Sequence, residues 1–201
     1  MLWQQKEGGF KSYYKPVRME KTDDKEKLEW FALSAPHRRE MEAQRLLEKN
    51  NVRCFIPMIT TVVTIGNKKQ RRLVPAISNL VFAQSTREKL QEIKQGIPYI
   101  QYKVNTEEGR HVPIIVPDRQ MDQFIAISQI NDDRIIYLSP DEINLSKGTR
   151  VRIIGGAFNN IEGVFIKIKG KRSKRVVVMV SSIAAVATAE IEPEYIQVLK
   201  D

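Results

Sequence analysis

A single cysteine, Cys54, occurs in the 201 residues, so no intramolecular disulfide can form. Its setting, Val52-Arg53-Cys54-Phe55-Ile56, is that of a small buried hydrophobe rather than of a nucleophile, which needs a base beside it. Histidine is nearly as scarce. His37 and His111 stand in no HExxH spacing and beside no CxxC pair, which excludes a structural zinc site and implies no metal. There is no glycine-rich phosphate loop ending in GK(S/T), no GxGxxG turn and no GxSxG elbow, so an enzyme is not expected and no cofactor is implied. No apolar run approaches the roughly 20 residues that span a bilayer. The first residues also lack the apolar core and small-residue cleavage site of a secretory signal, so a cytoplasmic protein without a membrane partner is expected.

What the chain does have is cations: the net charge is +9, which draws the surface to polyanions such as nucleic acid or an acidic protein face. The hydrophobic content of 42% is enough for genuine cores. Residues 1–28 mix charges of both signs with scattered aromatics and have neither helical nor strand period, which reads as an extension. Periodicity begins at Trp30-Phe31-Ala32-Leu33, a strand halted by Pro36. From His37 to Asn50, Met41, Ala43, Leu46 and Leu47 fall on one helical face, and Asn50-Asn51 supplies the stop. Two β-branched runs come next, 52–56 and 60–65. Gly66-Asn67 then turns the chain into Lys68-Lys69-Gln70-Arg71-Arg72, a basic hairpin tip. A strand over 78–85, a helix over 87–95 capped by Thr86, a hairpin around Glu107-Glu108-Gly109 and a helix opened by Pro117-Asp118 complete an α+β sandwich over residues 29–128.

The pattern turns polar and loses its period between 129 and 145, which places a linker there. Over residues 146–201 five short strands are punctuated by Gly148, Gly155-Gly156, Gly163 and Gly170, the arrangement of a small β-barrel. Within it Gly148, Val151, Ile153, Gly156, Phe158 and Gly163 fit the pattern G-x-x-V-x-I-x-x-G-x-F-x-x-x-x-G. That pattern resembles the KOW motif of SH3-like barrels, which also occur in ribosomal proteins.

Trp30-Phe31-Ala32-Leu33 at the head of an α+β domain, followed by such a barrel, resembles the NusG family of transcription elongation factors. Val52-Arg53-Cys54-Phe55-Ile56-Pro57-Met58 is similar to the corresponding stretch of the specialised paralogue RfaH, and Ala76-Ile77-Ser78-Asn79-Leu80-Val81-Phe82-Ala83 takes the place of the family's F-P-G-Y-V-F-V strand. Ser78-Asn79-Leu80 in place of Pro-Gly-Tyr looks like the UpxY-type regulators of capsular polysaccharide loci, which also carry an extension. The resemblance implies an NGN (NusG amino-terminal) domain, then a KOW barrel. It also implies a monomeric antitermination factor that suppresses pausing and termination on particular long operons. The alternatives are a housekeeping NusG and a KOW-type protein that binds RNA or the ribosome.

Carried over by motif, Phe31, Leu80, Phe82, Ile100 and Tyr102 would form an apolar face against the clamp helices of the largest RNA polymerase subunit, or else be ordinary core. Arg87, Glu88 and Lys89 fall near the family's contact with the gate loop of the other large subunit. His37, Arg38 and Arg39 lie where family members approach the non-template DNA strand. The tip cations Lys68, Lys69, Arg71 and Arg72 either meet nucleic acid or keep a hairpin soluble. Lys169, Lys171 and Arg172, in a hairpin shared with Lys167, Lys174 and Arg175, suggest nascent RNA or the ribosome. In the barrel, Phe158 and Ile183 are the expected partner contacts. Ile183 stands where the family shows an aromatic to Rho and to a small-subunit ribosomal protein; losing the ring speaks against Rho and suits an antiterminator.

Overall fold

The computed structural model describes residues 27–130, 135–138, 148–167, 174–181, 183–191 and 193–199. The first body is built on an antiparallel sheet of β1 (Glu29–Ser34), β2 (Arg53–Phe55), β5 (Val81–Ser85), β6 (Gln101–Tyr102) and β9 (Ile115–Val116). Strand β1 is central: β5 pairs along one edge, and β6 and β9 share the other.

Side chains alternate across a strand, so this sheet has two apolar faces and each needs a cover. Phe31, Leu33, Val81 and Ala83 point to the side closed by α1 (Glu40–Lys49) and α2 (Arg87–Gly96), against Ala43, Leu47 and Leu90. Trp30, Ala32, Leu80 and Phe82 point to the opposite side, closed by Met121, Phe124 and Ile127 of α3 (Asp118–Ser128). Fully burying each such large side chain contributes about 1.5–3 kcal/mol.

Two hairpins lie outside the sheet. Strands β3 (Met58–Ile65) and β4 (Lys68–Pro75) pair only with each other, as do β7 (Val104–Glu107) and β8 (Arg110–Pro113). The β3–β4 ribbon is closed at its base by the Ala76 amide donating to the Pro57 carbonyl at 2.8 Å and turned at its tip by Gly66, φ +58°.

The second body is a six-stranded antiparallel sheet in the order β10-β14-β13-β12-β11-β15. Its strands are β10 (Ile136–Leu138), β11 (Thr149–Ile153), β12 (Glu162–Lys167), β13 (Lys174–Val180), β14 (Ala184–Glu190) and β15 (Ile196–Val198). One expectation is corrected here: residues 136–138, inside the expected linker, add an edge strand along β14. Tyr137 packs edge-on against Phe124 at 6.1 Å between ring centres, so burial of this short apolar run outweighs its polar flanks. Helix α3 thereby joins the two bodies, with the first sheet on one side and β13 and β14 on the other, in one continuous apolar core. No helix among the described residues is long and apolar enough to cross a membrane.

Candidate interaction surfaces

The five residues expected to form one polymerase-binding face are divided by the alternation of the sheet. Phe31 (0% exposed) and Ile100 (1%) lie under α1 and α2, whereas Leu80 and Phe82 (both 0%) lie under α3. All four are core, so the expected apolar patch is not a surface of this structure. Tyr102 alone remains half-buried at the border, its ring 5.5 Å from that of Phe31 and beneath the Lys94 ammonium at 3.8 Å. Burial raises the Tyr102 phenol, with Arg87 opposing and Glu88 adding to the rise. Those charges act on it because α2 starts close by. Thr86 caps the helix as expected, its hydroxyl accepting from the Lys89 amide at 3.2 Å, and this places Arg87, Glu88 and Lys89 in the exposed first turn. Lys89 also donates to the Asn51 carbonyl at 3.2 Å, tying the start of α2 to the end of α1.

The His37-Arg38-Arg39 cluster is exposed and unusually built. His37 and Arg38 both hold positive φ, 61° and 59°, a conformation side chains disfavour by roughly 1–2 kcal/mol per residue. Glu40, at the start of α1, anchors the turn. It is buried, and its carboxylate accepts from the Asn79 amide at 2.6 Å while Ser34 Oγ donates to Asn79 Oδ1 at 2.7 Å. Asn79 itself has φ +59°, a conformation that asparagine tolerates best after glycine. Arg39 lies over the Tyr99 ring at 4.4 Å and pairs with Glu42 at 3.5 Å, while the His37 and Arg38 side chains are exposed.

On the ribbon, Lys68, Lys69, Arg71 and Arg72 are all exposed and make no ion pair among the described residues. The chain contains no Asp or Glu between Glu48 and Glu88, so nothing local in the sequence neutralises them.

In the second body Phe158 is 6% exposed and belongs to the core, so it is corrected from a partner contact to a packing residue. In the Gly155-Gly156 turn just before it both glycines take positive φ, 85° and 67°. Lys169, Lys171 and Arg172 lie outside the described residues. Of their neighbours, Lys167 and Lys174 are exposed, but Arg175 turns inward, donating to the Thr188 carbonyl at 2.6 Å. Ile183 is half-buried and packs on the common core. The turn that carries it is docked on the first body: the Ser181 amide donates to Gln120 Oε1 at 2.8 Å and its hydroxyl to the Ile115 carbonyl at 3.3 Å.

A charged bridge with no signature in the sequence completes that contact. Glu162 accepts from Arg152 at 2.6 and 3.0 Å and from Arg119 of α3. The Arg152 hydrogen bonds hold its carboxyl below the usual range against the opposing effect of burial, and the Arg119 charge adds to them. A carboxylate depressed in the fold stabilises it above its unfolded pKa, about 4.3, and loses that contribution as pH falls through the lower folded value. Glu162→Gln is therefore expected to lower the urea midpoint at pH 7, with the gap from the parent closing in strongly acidic buffer. A gap of constant size from pH 7 to pH 3 would refute the assignment.

Among the described residues no cluster of His, Cys, Asp and Glu could hold a metal ion. Cys54 is buried, and burial pushes its thiol far above the ordinary range, which disfavours the thiolate.

No curated protein matches the chain. A solved structure described as "Domain interaction in Thermotoga maritima NusG" is similar at 19% identity and a TM-score of 0.44, covering 87% of this chain and 98% of that one. Residues 28–125 match the family model described as "Transcription termination factor nusG", and they coincide with the α/β body built around β1. The similarity to the NusG family therefore lies in this first body.

Proposed function

We propose that the whole chain is a NusG-type transcription elongation factor, whose first domain rides on RNA polymerase while its second, a KOW-type SH3-like barrel, recruits RNA or the ribosome. The family match over residues 28–125 carries this reading. The polymerase contact is assigned to the clamp helices and gate loop through the α2 end of the first domain. There Tyr102, Arg87, Glu88 and Lys89 form the accessible remainder of the expected surface. The exposed His37 and Arg38 beside the α1 start suit an approach to the non-template DNA strand. A protein that bridges the two large subunits favours the closed polymerase by binding it better than the open, paused form, and this needs no catalytic group.

Asn79 performs the backbone task of the family glycine while Leu80 replaces its aromatic neighbour. That exchange supports an operon-specialised antiterminator of the RfaH or UpxY type over the housekeeping factor. Retention of core polymerase, and of an isolated clamp-helix fragment, on immobilised protein tests the reading. Alanine at Arg87, Glu88 and Lys89 together is expected to weaken retention about tenfold, or ~1.4 kcal/mol. Failure of the parent protein to retain either target would sink the proposal, and readthrough of terminators on a long template then measures the consequence.

A further inference from the structure

We infer that the β3–β4 ribbon is a reader of double-stranded DNA, entering the major groove with cations facing both phosphate walls; this deepens the nucleic-acid part of the proposed function and rests on it. The ribbon pairs with no other strand, and both of its edges are unpaired among the described residues. Its register decides how the charge is displayed. Residues opposite one another share a face, so Ile65, Val63, Lys68 and Arg72 stand on one side and Val62, Thr64, Lys69 and Arg71 on the other. Two cations on each face suit a slot with anionic walls on both sides. A flat polyanion would meet only one pair.

Dimensions agree. A two-stranded ribbon with side chains on both faces is about 10 Å thick, and the B-form major groove is about 12 Å wide and admits such a ribbon. The five residues from Lys68 to Arg72 extend over roughly 14 Å of strand, enough to reach several phosphates. Two arguments favour duplex DNA over other nucleic acids. Residues 58–75 contain no Phe, Trp or Tyr, and single strands are held mainly by stacking on such rings. A-form RNA closes its major groove to side chains, whereas the wider B-form groove admits a two-stranded ribbon.

The test uses the full chain with three labelled probes: a 20-base-pair DNA duplex, one of its strands alone, and an RNA duplex of the same sequence. The DNA duplex is expected to bind at least tenfold tighter than either other probe. Replacing all four cations, Lys68→Gln, Lys69→Gln, Arg71→Gln and Arg72→Gln, removes about four phosphate contacts. The slope of log affinity against log salt should then become shallower by about 3 to 4 units. Equal or tighter binding of the single strand or the RNA duplex overturns the inference, and so does an unchanged slope in the fourfold variant. The three-probe comparison needs no variant, so it stands even if the substitutions perturb the ribbon. Polymerase retention is measured on the same proteins. Retention without duplex binding defeats this inference alone, and duplex binding without retention defeats the polymerase reading alone.

Discussion

Phe124→Ala is expected to destabilise the protein by about 3–5 kcal/mol, at the upper end of single core truncations. The ring sits at the meeting point of both bodies, 5.8 Å from Phe82 and 5.9 Å from Phe55 in the first, and 6.1 Å from Tyr137 in the second. Removing it leaves a void that neither sheet can close alone, because each is pinned by its own strand pairing. Beyond the lower urea midpoint, amide exchange should accelerate in β5 and in β13 together. Acceleration confined to one body would show that α3 does not couple them.

The second large effect is Gly163→Ala. A methyl at this position would come 2.5 Å from the Val177 carbonyl oxygen and 2.9 Å from Val176 Cγ1, both in the strand paired with it. No rotamer relieves a Cβ, so β12 and β13 must move apart, a strain of about 2–3 kcal/mol concentrated in the second body. Gly96→Ala provides the contrast: nothing lies within 4 Å of the added carbon, and the residue ends α2 without positive φ. That variant should be neutral or more stable by up to about 1 kcal/mol. The pair is compared by thermal unfolding, and similar behaviour of the two would contradict the close approach of β12 and β13.

Local signals are well written in the chain. The Gly66-Asn67 turn, the Thr86 cap, the Asn51 stop at φ 56° and the paired glycines at 155 and 156 each sit where turn and cap chemistry put them. Facing is harder to read. Alternation along β1 assigns Trp30 and Phe31 to opposite sides, but whether a side is open or covered depends on helices far away in sequence, and here both are covered. A motif that carries residues over one at a time therefore gathers Phe31, Leu80, Phe82 and Ile100 onto a surface that the helices have sealed. Strand β10 has no signature of its own, because four apolar residues, Ile135 to Leu138, between polar neighbours acquire their meaning only from the edge of β14. Likewise Glu162 looks like any surface acid until Arg119 and Arg152 arrive from two different bodies.

The docked turn at Ser181 couples two surfaces. A molecule that pulls this turn off α3 must break its hydrogen bond to Gln120, and one that takes over Gln120 must break the same bond. Whichever binds first relieves the other of that cost, and thermodynamic reciprocity makes the gain equal in both directions. Two such ligands would therefore show matched gains of affinity when each is titrated in the presence of the other.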